Sequence, residues 1–150
     1  MYEKYISILS VGAFIFNDKK ELLIVKKSPQ EQIDAGLWTI PGGKIYPQEH
    51  ILDGLRREVL EEVGLTIHSP QWIGEDVFQS QNAMFHAEHF LCKTQLSIVQ
   101  LEKKLTEYKW ISGLEDIAPL PFAENIKKRV VEIFSKDYLA IWMNQLDKKP

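Results

Sequence analysis

Cysteine is almost absent from this chain, which has Cys92 as its single thiol among 150 residues. One cysteine excludes a disulfide bond within the chain and is typical of proteins from a reducing compartment. Long apolar segments are also absent, since the run near the N-terminus is too short to span a membrane and lacks a basic leader. We therefore expect a cytoplasmic protein with no membrane partner, in which Cys92 is a buried, small apolar side chain.

Excess positive charge is lacking too. The chain has 18 Lys and Arg residues against 21 Asp and Glu residues, which gives a net charge of −3. This balance excludes the strongly basic surface that is typical of proteins that bind nucleic acid polymers. Hydrophobic residues make up 45% of the chain, which excludes a mostly disordered protein. The length predicts one domain over residues 1–150.

The pattern of apolar residues predicts six strands around one central helix, followed by C-terminal helical segments. Strands are predicted at Tyr5–Phe16, Glu21–Lys27, Leu37–Ile40, Trp72–Gln79, Ala83–Thr94 and Glu107–Ser112. Helical periodicity begins between Glu49 and Ile51, and again after Phe122, where it continues into a second segment at Tyr138–Leu146. The first two strands are almost wholly apolar, which indicates that both faces of the sheet are covered. This order predicts an α/β sandwich.

The most informative stretch of the chain is GGKIYPQEHILDGLRREVLEEVGL, which begins at Gly42. A Pro-Gly-Gly turn leads into a helix that we expect to end at Gly64, a residue suited to a left-handed cap. At about 100° per residue, Glu58, Glu61 and Glu62 fall within an arc of roughly 100°. Gly54 lies on the same arc one turn earlier, and we interpret it as bare backbone that a substrate approaches.

Two interpretations of these carboxylates compete. They could form a solvated helix face, in which Arg57 and Glu61 make an ordinary i,i+4 pair. Alternatively, three like charges on one face are compensated by a cation, and oxygen ligands favour Mg²⁺ or Mn²⁺. The glycine turn, the separate Glu49 and the terminal glycine all occur at fixed spacing, which favours the metal site.

The spacing G-x5-E-x7-R-E-U-x-E-E-x-G-U, in which U is aliphatic, resembles the signature of the Nudix (MutT-like) hydrolases. Its fixed positions are filled by Gly43, Glu49, Arg57, Glu58, Val59, Glu61, Glu62, Gly64 and Leu65. The flanking segments GLWTIPGG and YKWI resemble the family as well. The resemblance implies an α/β/α sandwich with a mixed central sheet, a catalytic helix after the Gly-Gly turn and a C-terminal helix.

The resemblance also implies a reaction, namely hydrolysis of a nucleoside diphosphate linked to another moiety, by water attack on phosphorus with Mg²⁺ or Mn²⁺. Glu58, Glu61 and Glu62 would then hold the metal together with the Gly42 carbonyl, and Arg57 would orient the carboxylates through Glu49. All five side chains are candidate catalytic residues, and the choice of general base among the carboxylates stays open. A further acid, either Glu102 or Glu107, often completes such sites.

The substrate is less narrowly defined. Tyr46 stands where many family members have a glutamate, and it either lies near a base or sugar or is a surface aromatic. Phe85, Glu88 and Glu107 are further candidates for substrate binding, and both a nucleoside triphosphate and a nucleotide sugar fit the pattern. The sequence HAEH at residues 86–89 invites a zinc interpretation, but its two histidines point to opposite faces of a strand.

Three classes of function therefore compete. The first is a hydrolase of a small nucleotide, the second is a noncatalytic nucleotide-binding module or regulator on the same fold, and the third is an isomerase of the same fold. The full set of box carboxylates favours the hydrolase. The family resemblance also favours a homodimer.

Overall fold

The structure is a computed structural model that describes residues 6–135 and 138–147. Its strands are β1 (Ser7–Phe16), β2 (Leu22–Lys27), β3 (Trp38–Thr39), β4 (Gly42–Lys44), β5 (His68–Ser80), β6 (Ala83–Lys93) and β7 (Leu105–Ile111). Its helices are α1 (Ile51–Val63), α2 (Glu124–Ser135) and α3 (Tyr138–Asp147), with a 3₁₀ helix at Leu114–Asp116. None of these described helices is both long enough and apolar enough to cross a membrane.

The seven strands form one mixed sheet. Five strands follow the order β3-β2-β1-β6-β5, while β4 pairs with β1 and β7 pairs with β2. The β1–β6 pair is parallel and the other pairs are antiparallel. The strand β1 is therefore the centre of the sheet, and β4 lies against its middle, where Gly12 is opposite Gly42.

Helices cover both faces of the sheet. Successive side chains of a strand point to opposite faces, so each central strand contributes to two cores. Val11, Ala13 and Ile15 of β1 pack with the buried face of α1. Phe14 and Phe16 pack on the other face, in a second core that includes residues of α2 and α3. The predicted α/β/α sandwich with a mixed sheet, a helix after the Gly-Gly segment and a C-terminal helix is confirmed.

The structure corrects several predicted boundaries. Gly42–Lys44 was expected to be a turn but is the short strand β4. The bare glycine backbone can approach β1 closely, since a Cβ on Gly42 would overlap the Val11 carbonyl oxygen. The strand β5 begins at His68 rather than at the predicted Trp72, and it passes through Ser69 and Pro70 with a register shift. The predicted start of the first strand at Tyr5 lies outside the described residues.

Candidate active site

A cleft of about 880 Å³ opens on the face of the sheet that packs against α2. Ser10 and Gly12 of β1 and Ala87 of β6 lie along its floor. Where the cleft meets α1 and β4, its acidic end, the lining includes Gly42, Gly43 and four glutamates, Glu58, Glu61, Glu62 and Glu102, together with Lys27, Lys44 and Lys104. Beyond the floor, on β5 and β6, the lining comprises Asp76, Phe78, Phe85 and His89.

The glycines of β4 let the carboxylates of α1 reach the cleft, although α1 packs on the opposite face of the sheet. The Gly42 N–H donates a hydrogen bond to Glu62 Oε2 at 3.3 Å. The Glu58 carboxylate lies where a side chain on Gly43 would be, since a Cβ there would come within 2.5 Å of the carboxyl carbon. Bare backbone at β4 is therefore the opening through which the acids face the cleft.

Gly54 does not expose backbone to the cleft, so the prediction of a substrate approach there is wrong. The residue is buried, and a Cβ on it would overlap Ile45 Cδ1 and lie 2.9 Å from Glu49 Oε1. The glycine instead allows the segment that carries Ile45 and Glu49 to pack directly on the first turns of α1.

Arg57 connects the acidic side chains. Its guanidinium donates two hydrogen bonds to Glu49, from Nε at 2.7 Å and from Nη2 at 2.9 Å. Its Nη1 donates to Glu58 at 3.0 Å and to Glu61 at 3.2 Å. The Tyr46 ring lies 3.7 Å from the guanidinium carbon, so the arginine is held by stacking as well as by charge. The i,i+4 pair with Glu61 thus exists within a larger network rather than as an isolated surface pair.

The carboxyl groups of this network differ in their tendency to ionise. Hydrogen bonds from Arg57 lower the pKa of Glu49 to about 2. Burial raises the pKa of Glu58, although Arg57 opposes this change. Burial also raises the pKa of Glu62 to about 8, against the Gly42 hydrogen bond, and the charges of Glu58 and Glu102 add to the rise. Glu58 and Glu62 are both partly buried acids with raised pKa values, and a nearby cation would stabilise their charged forms.

Comparison with known proteins agrees with this geometry. The family model of the NUDIX domain matches residues 7–132. The chain belongs to the Nudix family. It is 30% identical over 122 residues to Nudix hydrolase 2 of Arabidopsis thaliana, and 31% identical over 133 residues to Nudix hydrolase 8 of the same plant. These matches cover 78% and 83% of this chain but only 43% and 35% of the two relatives, so the chain spans less than half of their length.

A solved Nudix-type structure extends the likeness to nearly the whole chain. The MutT protein from Methanosarcina mazei Go1 superposes with a TM-score of 0.71 at 30% sequence identity. The match covers 97% of this chain and 98% of that protein. The predicted membership of the Nudix (MutT-like) hydrolase family is therefore confirmed.

The acidic end of the Nudix cleft fits a divalent cation by its chemistry. Glu58, Glu61 and Glu62 supply the carboxylate oxygens that Mg²⁺ and Mn²⁺ prefer, and Glu102 lies beside them. Within residues 6–135 and 138–147, no three His, Cys, Asp or Glu side chains converge closely enough to bind one ion as they stand. Arg57 holds Glu58 and Glu61 instead, so an ion bound there would compete with the guanidinium for their oxygens.

The other candidates from the sequence fall into two groups. Tyr46 and Phe85 line the cleft, and so does Glu102. Glu88 is absent from the described lining and accepts a hydrogen bond from Trp72 Nε1 at 3.1 Å, while Glu107 pairs with Lys26 at 3.3 Å on the exposed surface. Of the two acids considered for completing the site, the structure therefore brings Glu102 to the cleft and leaves Glu107 outside it.

Sequence reasoning missed a polar group on β5, β6 and α2 that belongs to the same cleft. Asp76 and His89 line it, and Arg129 of α2 donates a hydrogen bond to His89. As predicted, His86 and His89 lie on opposite faces of β6, and only His89 is among the described cleft residues. Cys92 is fully buried, as expected, and burial raises its pKa above the usual range. The alternation of Asp76 with the exposed Val77 along β5 is the sequence feature that could have indicated which face of the sheet Asp76 lies on.

Proposed function

We propose that this chain hydrolyses a phosphoanhydride bond in a nucleoside diphosphate linked to another moiety. The observation that carries the proposal is the meeting of the α1 carboxylates with the bare backbone of β4 at one end of a cleft of about 880 Å³. Family membership supports the same reaction class. Mg²⁺ is the proposed cofactor, with Mn²⁺ as a substitute, and Glu58, Glu61, Glu62 and the Gly42 carbonyl are the proposed ligands.

The protein's own residues would position the reaction. Arg57, anchored by its two hydrogen bonds to Glu49, sets the positions of Glu58 and Glu61 beside the opening at β4. A bound divalent ion would neutralise charge on the phosphate oxygens and make water a better nucleophile. The water oxygen bonds to phosphorus, a carboxylate of α1 accepts the water proton, and the bond from phosphorus to the bridging oxygen breaks.

The two ends of the cleft suggest how the substrate lies. Its phosphates belong at the acidic end, where the ligands for the compensating cation are. The remainder of the molecule lies along the small residues Ser10, Gly12 and Ala87 toward β5. A nucleoside triphosphate and a nucleotide sugar both satisfy this arrangement, so the first experiment must compare them.

The test is phosphate release with Mg²⁺ from a panel of nucleoside triphosphates, oxidised nucleotides, nucleotide sugars and dinucleotides. Added pyrophosphatase converts the pyrophosphate released from triphosphates to inorganic phosphate, and alkaline phosphatase, used only with nucleotide sugars and dinucleotides, does the same for their monophosphate products. We expect turnover of one class, loss of turnover in EDTA and recovery with Mg²⁺ or Mn²⁺. Glu62→Gln should lower the rate about a hundredfold or more, since even outer partners of metal ligands cost about 10–100-fold.

Glu107→Gln is the matched control, because it makes the same chemical change on a glutamate outside the cleft. It should leave the rate near that of the unchanged protein. Nucleotide binding without turnover on any member of the panel would overturn the hydrolase and favour a noncatalytic nucleotide-binding module. Equal losses in the two variants would overturn the assigned role of Glu62.

A further inference from the structure

Two of the longer strands lie at edges of the sheet, and they differ in how well they can pair with another strand. Among the strands of the described residues, β5 pairs only with β6, and β7 pairs only with β2. The strand β5 contains Pro70, positive φ angles at Ser69 and Gly74, and two register shifts, all of which hinder further pairing. The strand β7 (LTEYKWI) has neither proline nor glycine, and its register on β2 shifts only at its first residue. The open edge is therefore β7.

The middle of β7 is exposed on both faces of the sheet. Residues 106–109 are all exposed, although successive side chains of a strand point to opposite faces. Tyr108 is opposite Val25, on the face that packs against α1, and it is 42% exposed. Glu107 points to the other face, where its side chain is 54% exposed. Neither helical layer covers this segment, so a further strand can be added at the edge without displacing a described element.

The exposed segment is complementary to itself in one antiparallel register. A twofold axis perpendicular to the sheet keeps each face on its own side, so the register is defined by the residue on the axis. With Tyr108 on the axis, Glu107 of each copy lies opposite Lys109 of the other, and the two tyrosine rings meet. A register centred on Glu107 or on Lys109 instead places like charges opposite each other, which is destabilising. Charge therefore selects the register centred on Tyr108.

The same register joins opposite charges beyond the ends of the strands. One residue past β7, Ser112 of one copy would lie opposite Lys104 of the other. A groove of about 640 Å³ lies at this end of β7, lined by residues 108–112 and Asp116. Asp116 accepts a hydrogen bond from the Ser112 N–H at 2.9 Å, and the Lys104 side chain is 65% exposed. The lysine of one copy would thus approach the aspartate of the other, and the twofold axis repeats the contact.

We propose that β7 is the interface of a homodimer, in which the β7 strands of two copies pair antiparallel around Tyr108. Backbone hydrogen bonds extend the sheet across both copies, and the ion pairs fix the register. The ion pair of Lys26 with Glu107, at 3.3 Å, is compatible with this arrangement because a carboxylate has a second oxygen. Two strands of seven residues bury little surface, so the dimer dissociates on dilution. Each cleft is built from one chain, so the inference does not depend on the proposed function.

The test is sedimentation velocity over a dilution series at low ionic strength, which gives the dissociation constant of the dimer. Glu107→Lys and Lys109→Glu each place like charges opposite each other, and each should raise the dissociation constant about tenfold or more. The double variant exchanges the two charges and should dimerise like the unchanged protein. An equimolar mixture of the two single variants should also form dimers, because every facing pair of charges is then opposite in sign.

Glu75→Lys is the matched control, since it makes the same change on an exposed residue of β5 and should leave the dissociation constant unchanged. If Glu107→Lys fails to fold, as its melting curve would show, Lys109→Glu decides the test, because it keeps the pair of Lys26 with Glu107. A monomer at every concentration overturns the inference, and so does a dimer that neither single variant weakens. No recovery in the double variant and in the mixture overturns the register around Tyr108. Loss of the dimer in Glu75→Lys alone places the interface on β5 and also overturns the inference.

Discussion

Replacing Gly43 by alanine would test whether bare backbone at β4 is needed for the chemistry rather than for the fold. The φ of Gly43 lies outside the left-handed region, so alanine fits the backbone there. Its Cβ would lie 2.5 Å from the Glu58 carboxyl carbon, whereas ordinary contacts begin at 3.4 Å. The carboxylate must therefore retreat by about 1 Å, and a displacement of that size can lower kcat about 100-fold.

Stability should change little in the same variant. The atom that must move is at the end of a side chain, and the loss of glycine flexibility in the unfolded chain contributes about 0.4–1 kcal/mol in favour of folding. We therefore expect a free energy of unfolding within about 1 kcal/mol of the unchanged protein, measured by urea denaturation. Steady-state phosphate release on the best substrate of the panel measures kcat.

Gly42→Ala provides the contrast. Its Cβ would overlap the Val11 carbonyl oxygen, which is backbone and cannot move without separating β4 from β1. This variant should lose about 1–3 kcal/mol of stability or more. Near-normal kcat in Gly43→Ala, or an equal loss of stability in the two variants, would refute this reasoning. It holds that Gly42 is needed for the pairing of β4 with β1, and Gly43 for the position of the Glu58 carboxylate.

Other contacts lead to three shorter predictions. Arg57→Lys keeps the charge but loses the planar guanidinium that donates several hydrogen bonds at once, so kcat should fall about tenfold with little change in KM. Arg56→Lys, on the same helix, is the control and should have no effect. Burial, with the Arg129 cation beside it, lowers the pKa of His89 to about 4. As the pH falls, His89 is protonated in the unfolded chain at a higher pH than in the folded protein. Its contribution to the free energy of unfolding is therefore complete above pH 6.5 and falls by about 3 kcal/mol toward pH 4. Urea denaturation should show this loss in the unchanged protein and not in His89→Gln. Gly64→Ala puts a side chain at a φ of 71° and should lower stability by about 1 kcal/mol in thermal denaturation, while Gly64→Asn should lower it less.

The acidic end of the site could be predicted from the sequence because its residues belong to one helix and the turn before it. Helical spacing alone places Glu58, Glu61 and Glu62 together, and Gly64 ends α1 in the left-handed conformation that the pattern predicts. The strand β4 could not be predicted in this way. Glycine has low strand propensity, and the pairing of Gly42 with β1 depends on a tertiary contact.

The far end of the cleft has no local signal of the same kind. Asp76, His89 and Arg129 come from three different elements, and they meet because β5 and β6 pair antiparallel and Arg129 of α2 reaches both strands. Gly74 of β5 leaves room for the Arg129 guanidinium, which is a tertiary contact that no local pattern indicates. The homodimer and the cytoplasmic location stay predictions.

The division of the site between the two faces of the sheet has a consequence for how the protein can vary. The acids are carried by α1 and enter through β4, whereas Ser10, Ala87 and Asp76 lie on the opposite face and do not contribute to the core beneath α1. Under the proposed function, substitutions on that face would change which molecule is accepted without disturbing the packing that positions the carboxylates. The proposed substrate range and the proposed chemical step would thus be separately adjustable, both in natural divergence and in design.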